Sequence, residues 1–138
     1  MKRVLLLDTN VVLRFLCQDS PQESPSCTDF FLRAEQGEFT LNLDAVSFAE
    51  VVWVLSKFHK QPRERIHTLL SGLLQHPAVV VENQSRLLET LRIFAGTKID
   101  FIDCYLVAQA RETGHAVVTF DHDFKKFSDV KSLLPEKA

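Results

Sequence analysis

Near the amino-terminal end, Val4-Leu5-Leu6-Leu7-Asp8-Thr9-Asn10-Val11 sets the frame for the rest of the chain. Four successive apolar residues stopped by a polar cluster are the pattern of a short strand buried on both faces, as in parallel sheets. Asn10 to Leu16 then reads as a helix, broken at Asp19-Ser20-Pro21. A second helix is expected over Gln22 to Gln36, with Phe30, Phe31 and Ala34 on its apolar side and Gly37 as its stop. Phe39 to Leu43 alternates apolar and polar residues and predicts a second strand. Ser47 offers an N-cap with Glu50 three residues on, ahead of Val51-Val52-Trp53-Val54-Leu55. Pro62 suits the first turn of a helix running to about Gln75.

The same alternation continues to the other end. Ala78 to Val81 reads as a third buried strand, Ser85 to Ala95 as a helix up to Gly96, and Asp103 to Thr113 as a helix closed by Gly114. Ala116 to Thr119 is a fourth strand, leading into Phe120-Asp121-His122-Asp123-Phe124. Strands alternating with helices imply βαβ units. The expected fold is α/β, a central parallel sheet of four to five strands with helices on both faces. With 138 residues and no internal repeat or linker, residues 1–138 are expected to form a single domain.

Composition removes several classes. Apolar residues at 46% and charged residues at 25% are too apolar a mixture for disorder. The longest uninterrupted apolar stretches, Val51 to Leu55 and Cys104 to Ala108, are five residues each. A membrane span needs about 20. Asp8 ends the first apolar run short of what a signal peptide requires, so a soluble, cytoplasmic protein is expected. Cys17, Cys27 and Cys104 are odd in number and without CxxC spacing, and His59, His67, His76, His115 and His122 make no ligand spacing. They predict free thiols in a reducing compartment and no zinc motif. Sixteen Lys+Arg against 18 Asp+Glu give −2, which excludes a uniformly basic nucleic-acid-coating surface. There is no P-loop and no GxGxxG pattern.

In open α/β sheets, ligands bind beyond the carboxyl ends of the strands. Asp8 directly follows the first strand, and Asp121 lies just past the fourth. Glu50 stands in the first turn of the helix after the second strand, and Asp103 begins a later helix. Four carboxylates from scattered positions could meet at one edge, where like charges resist simultaneous ionisation. A hard divalent cation such as Mg²⁺ removes that cost and works with carboxylates and phosphates. Each acid also has a structural explanation: Asp8 as a helix cap, Ser47 with Glu50 as a capping box, Asp103 as a macrodipole partner, Asp121 and Asp123 as turn residues. What these separate explanations leave unexplained is why acids recur at one end of the sheet.

In these residues the chain resembles the PIN-domain ribonucleases, and among them the small prokaryotic VapC-type toxins. Leu6-Leu7-Asp8-Thr9-Asn10-Val11 is similar to the family's opening strand and D-x-N motif. Ala49-Glu50-Val51-Val52-Trp53-Val54-Leu55 resembles its glutamate-bearing motif, and Asp100-Phe101-Ile102-Asp103-Cys104 its D-F-x-D segment. Val118-Thr119-Phe120-Asp121-His122-Asp123-Phe124 resembles its closing T-x-D-x-D-F motif. The resemblance implies a PIN-like nuclease domain that hydrolyses RNA phosphodiesters with Mg²⁺ or Mn²⁺. Asp8, Glu50, Asp103 and Asp121 would be the catalytic, metal-binding acids and Asp123 an auxiliary metal ligand; Asn10, Thr119 and Asp100 would support them. It further implies a small antitoxin partner and a homodimer, with the Phe30-Phe31 helix and the Trp53 helix as docking surfaces. Plain core is the preferred reading of Val51 to Leu55. Lys57, Lys60, Arg63 and Arg65, and Lys125, Lys126 and Lys131, are two basic stretches that could flank the pocket. The competing readings are a phosphatase-like or receiver-like phosphoryl-transfer domain and a non-catalytic RNA- or protein-binding module. Setting the five acids aside leaves 16 minus 13, or +3.

Overall fold

The computed structural model describes residues 2–138, whose contacts fall into two compact units, one ending at Glu82 and the other running from Asn83 to Ala138. The first unit carries β1 (Arg3–Leu6), α1 (Thr9–Cys17), α2 (Ser24–Glu35), β2 (Phe39–Asn42), α3 (Ala45–Lys57), α4 (Arg63–Leu74) and β3 (Val79–Val80). Its strands form a parallel sheet in the order β1-β2-β3. Parallel partners share a face, so the register divides the sheet cleanly. Leu5, Leu41 and Val79 form one rung, and Phe39, Leu41, Leu43 and Val79 are all buried. Leu6, Asn42 and Val80 form the next rung on the opposite face, where Leu6 is 82% and Val80 53% exposed.

Two expectations change here. β1 is buried on one face instead of two: Leu7 is buried, whereas Val4 and Leu6 on the other face are exposed. The main sheet has three strands where four to five were expected. The strand predicted around Ala116 to Thr119 does form, as β4 (Val117–Val118) in the second unit, but its parallel partner is β5 (Ser132–Leu133). The Val117 N–H donates to the Lys131 carbonyl at 2.8 Å and the Thr119 N–H to that of Leu133 at 3.0 Å. The last strand carried no periodic pattern of its own, since two residues are too few to show one.

The buried face of the three-stranded sheet continues into an aromatic cluster. Phe31 is 1% exposed, stacked on Phe15 with ring centroids 3.9 Å apart, and meets Phe30 and His76 edge-on. Phe48, Val51, Val52 and Leu55 of α3 and Ile66, Leu70, Leu73 and Leu74 of α4 complete this core. The core reading of Val51 to Leu55 therefore holds for Val51, Val52 and Leu55; Val54 is half-buried, and Trp53 is 53% exposed and packs edge-on against exposed Phe58. Gly37, at φ +94°, supplies the left-handed turn that ends the α2 segment and admits β2.

In the second unit, α5 (Gln84–Gly96) packs on α6 (Phe101–Thr113), and Leu87, Leu91 and Phe94 of the one and Cys104, Val107 and Ala108 of the other are buried. Arg86 ties the pair together: its Nε and Nη2 donate to the two Glu112 carboxylate oxygens at 3.0 and 3.1 Å, and Nη1 to the Tyr105 hydroxyl at 3.2 Å. Gly114 ends α6 at φ +77°, its N–H donating to the Ala110 carbonyl, as its position in the sequence predicts. A 3-10 turn at His122–Lys126 follows β4. Among the described residues no helix is long and apolar enough to cross a membrane. All three cysteines are free.

Candidate active site

In the first unit, the parallel register carries two acids to equivalent places. Leu7 and Leu43 extend the strands, their N–H groups donating to the Asn42 and Val80 carbonyls at 2.9 and 3.0 Å. Asp8 and Asp44 come next, both exposed, both with extended backbone, each at the N-cap of the following helix. Their side chains are used differently. Asp44 Oδ1 accepts from the Ser47 N–H at 2.9 Å and caps α3, whereas the Asp8 carboxylate makes no capping bond. The expected Ser47–Glu50 capping box is thus corrected: Ser47 lies inside α3, and Asp44 does the capping. Glu50 is left exposed on the second turn of α3 with no capping role. Among the described residues neither the Asp8 nor the Glu50 carboxylate has a hydrogen-bonded or ion-paired partner. Asn10 is exposed in the first turn of α1 beside buried Thr9. Sequence reading passed over Asp44, although an aspartate just beyond a strand and three residues before Ser47 carries the same signal as Asp8.

In the second unit the acids are crowded. Helix α6 starts two residues earlier than expected, with Asp100 at its N-cap, which puts Asp103 in the first turn rather than at the start. Burial pushes the half-buried Asp103 carboxyl above its ordinary range, and the charges of Asp121, Asp100 and Asp123 push it further. The three charges act on Asp103, although among the described residues no three of these four acids bring carboxylate oxygens within 4.8 Å of one another. The Thr119 Oγ1 accepts from the Asp121 N–H at 2.9 Å, and Asp121 Oδ1 accepts from the Asp123 N–H at 2.8 Å. The turn explanation of Asp121 is correct for that one oxygen, and the same bonds fix where its carboxylate stands. Asp123 is ion-paired to Lys126 at 3.0 Å. A cleft of about 280 Å³ opens beside Asp121, lined by His122, Lys125 and Lys137 among others. His122 is solvent-exposed, as expected, and stands at the start of the 3-10 turn instead of in a loop.

Carboxylate oxygens suit a hard cation such as Mg²⁺ or Mn²⁺ better than a thiophilic one. The PIN domain family profile matches residues 5–130, a span that includes every acid named above. The chain is also similar to a VapC ribonuclease of Aquifex aeolicus (strain VF5), at 28% identity over 122 residues, covering 88% of this chain and 90% of that protein. With the motif order, the α/β architecture and a match over nearly its whole length, the chain belongs to the PIN-domain family.

Proposed function

We propose that this protein is a metal-dependent endoribonuclease that hydrolyses RNA phosphodiester bonds, the toxin of a VapBC-type pair. In this reading residues 1–138 work as one nuclease domain in the cytoplasm. The observation that carries it is the upward push that Asp121, Asp100 and Asp123 add to burial at Asp103, with only Asp123 of the three acids ion-paired, to Lys126. A carboxyl held above its ordinary range by three other acids needs a reason, and cation binding supplies one. Asp8 and Glu50 are the complementary pair, exposed acids that neither cap a helix nor pair with a base.

The residues that would hold Mg²⁺ or Mn²⁺ are Asp8, Glu50, Asp103 and Asp121, with Asp123 auxiliary. Bound there, the cation supplies an activated water and stabilises charge developing on phosphate oxygens. The chain's own contribution is positioning. Thr119 fixes the backbone of Asp121, whose carboxylate in turn fixes the turn at Asp123, so two acids are held before substrate arrives. Asp100 raises the local negative potential, and Asn10 offers an amide beside Asp8. Lys125 and Lys137 line the cleft next to Asp121 and suit the phosphates flanking the cleaved bond.

A small antitoxin protein and a second copy of this chain are the proposed partners. Exposed Trp53 and Phe58 are the apolar surface that best suits one of them.

The test is RNA cleavage by wild type and by Asp8→Asn, Glu50→Gln, Asp103→Asn and Asp121→Asn, with Mg²⁺ and with EDTA. Each variant is expected to lose on the order of 10²-fold or more in rate, the scale for removing one preorganised electrostatic group. Mg²⁺ should also raise the melting temperature of wild type more than that of Asp103→Asn. EDTA-resistant cleavage, or variants as active as wild type, would overturn the proposal. Growth arrest on induction, relieved by the neighbouring small gene, tests the toxin role.

A further inference from the structure

The fold also assembles three metal-binding side chains in the first unit that no sequence spacing connects. Cys17 is the last residue of α1, Asp19 follows the left-handed Gln18, and His59 lies two residues beyond the end of α3. Their ligand atoms all lie within 4.8 Å of one another. Four-coordinate zinc, with bonds of 2.0–2.3 Å, needs ligand atoms roughly 3.5 Å apart, so a rotamer adjustment of about 1 Å closes the set. Asp19 is exposed and Cys17 and His59 half-buried, which leaves the side chains room for it.

Three further features favour a cation here. α1 and α3 pack together and both end at the cluster, so two helix carboxyl termini direct partial negative charge at it. The imidazole of His59 has no hydrogen-bond partner among the described residues. Arg14 offsets only part of the negative charge, because it is shared: its Nε donates to Glu23 at 2.8 Å and its Nη1 pairs with Asp19 at 3.7 Å. One thiolate, one carboxylate and one neutral imidazole balance a divalent charge. Sulfur and nitrogen donors select a borderline metal over Mg²⁺.

We infer that Cys17, Asp19 and His59 form a zinc-class site, separate from the oxygen-donor acids, that fastens the end of α1 to the end of α3. Water fills the fourth position, and metal binding releases the Cys17 thiol proton to solvent.

Cobalt(II) titration of the purified full-length protein tests this, in excess Mg²⁺ so that carboxylate-only sites are occupied. The expected result is a thiolate-to-cobalt charge-transfer absorption saturating at one equivalent and bleached by added Zn²⁺. Cys17→Ser should abolish the band. His59→Gln and Asp19→Asn should each weaken cobalt affinity at least about tenfold, the scale reached even by groups that only support ligands, and Asp103→Asn should leave the band unchanged. Zn²⁺ should raise the melting temperature of wild type and not of His59→Gln. If Cys17→Ser misfolds, the His59→Gln and Asp19→Asn titrations decide the matter. A wild-type protein without the band, a band that survives Cys17→Ser, or undiminished affinity in both His59→Gln and Asp19→Asn would overturn the inference.

Discussion

Asp8 and Asp44 offer an internal control, because the sheet register gives them the same backbone position and only one is used as a cap. Replacing Asp44 by alanine deletes the acceptor that the Ser47 N–H meets at 2.9 Å. An orphaned N–H at a helix start costs about 1 kcal/mol, within a range of roughly 0.5–2. For a chain of 138 residues that corresponds to a fall in melting temperature of about 3–5 °C. Asp8→Asn removes a charge and no capping bond, and asparagine remains a favourable N-cap, so its stability change should stay within about 0.5 kcal/mol. The activities should separate the other way, with Asp8→Asn losing RNA cleavage and Asp44→Ala keeping it below its melting temperature. Urea denaturation read by circular dichroism, alongside a fluorogenic RNA assay, measures both quantities on the same preparations. If Asp8→Asn destabilised the protein as much as Asp44→Ala while still cleaving RNA, Asp8 would be a structural cap and the reasoning would fail.

Two further outcomes follow from packing and charge. Phe31→Ala empties the centre of the aromatic cluster, where Phe31 is 1% exposed and stacked on Phe15. A loss of about 3–5 kcal/mol is expected, and a urea midpoint within error of wild type would contradict the core described. Stability should also fall in acid through the ion pairs of the second unit. Hydrogen bonds from Arg92 and Arg111 hold Glu89 below its ordinary value of 4.5, and Arg111 does the same for Asp129. A carboxylate lowered in the folded state contributes fully above its ordinary value and loses that contribution as pH falls through the lowered one. Unfolding free energy should therefore decline below about pH 4.5, and Arg111→Gln should flatten the decline; an identical pH profile for the variant would refute this link.

How much the sequence alone could reveal depended on whether the deciding interaction was local. The helix ends at Gly37 and Gly114, the burial of Val51, Val52 and Leu55, and the alternation of strands and helices are legible because periodicity and turn chemistry act within a few residues. The acids were legible in order and motif for the same reason, each standing just beyond a strand or at a helix start. What each carboxylate does was not. Asp8 and Asp44 have the same local signature, and hydrogen bonding alone separates the cap from the open acid. The partner of β4 was hidden because two-residue strands carry no period, and the open face of β1 because an apolar run does not reveal whether a second layer covers it.

Only the fold decided that Asp103 is crowded by Asp121, and that Cys17, Asp19 and His59 are neighbours. Both depend on contacts between residues far apart in the chain. Sequence determined which residue types were available and, β5 apart, which segments would be helix or strand, because those choices are settled by near neighbours. Tertiary structure decided which charges and donor atoms meet, because Coulomb energy and metal coordination depend on distance in space and not on separation along the chain.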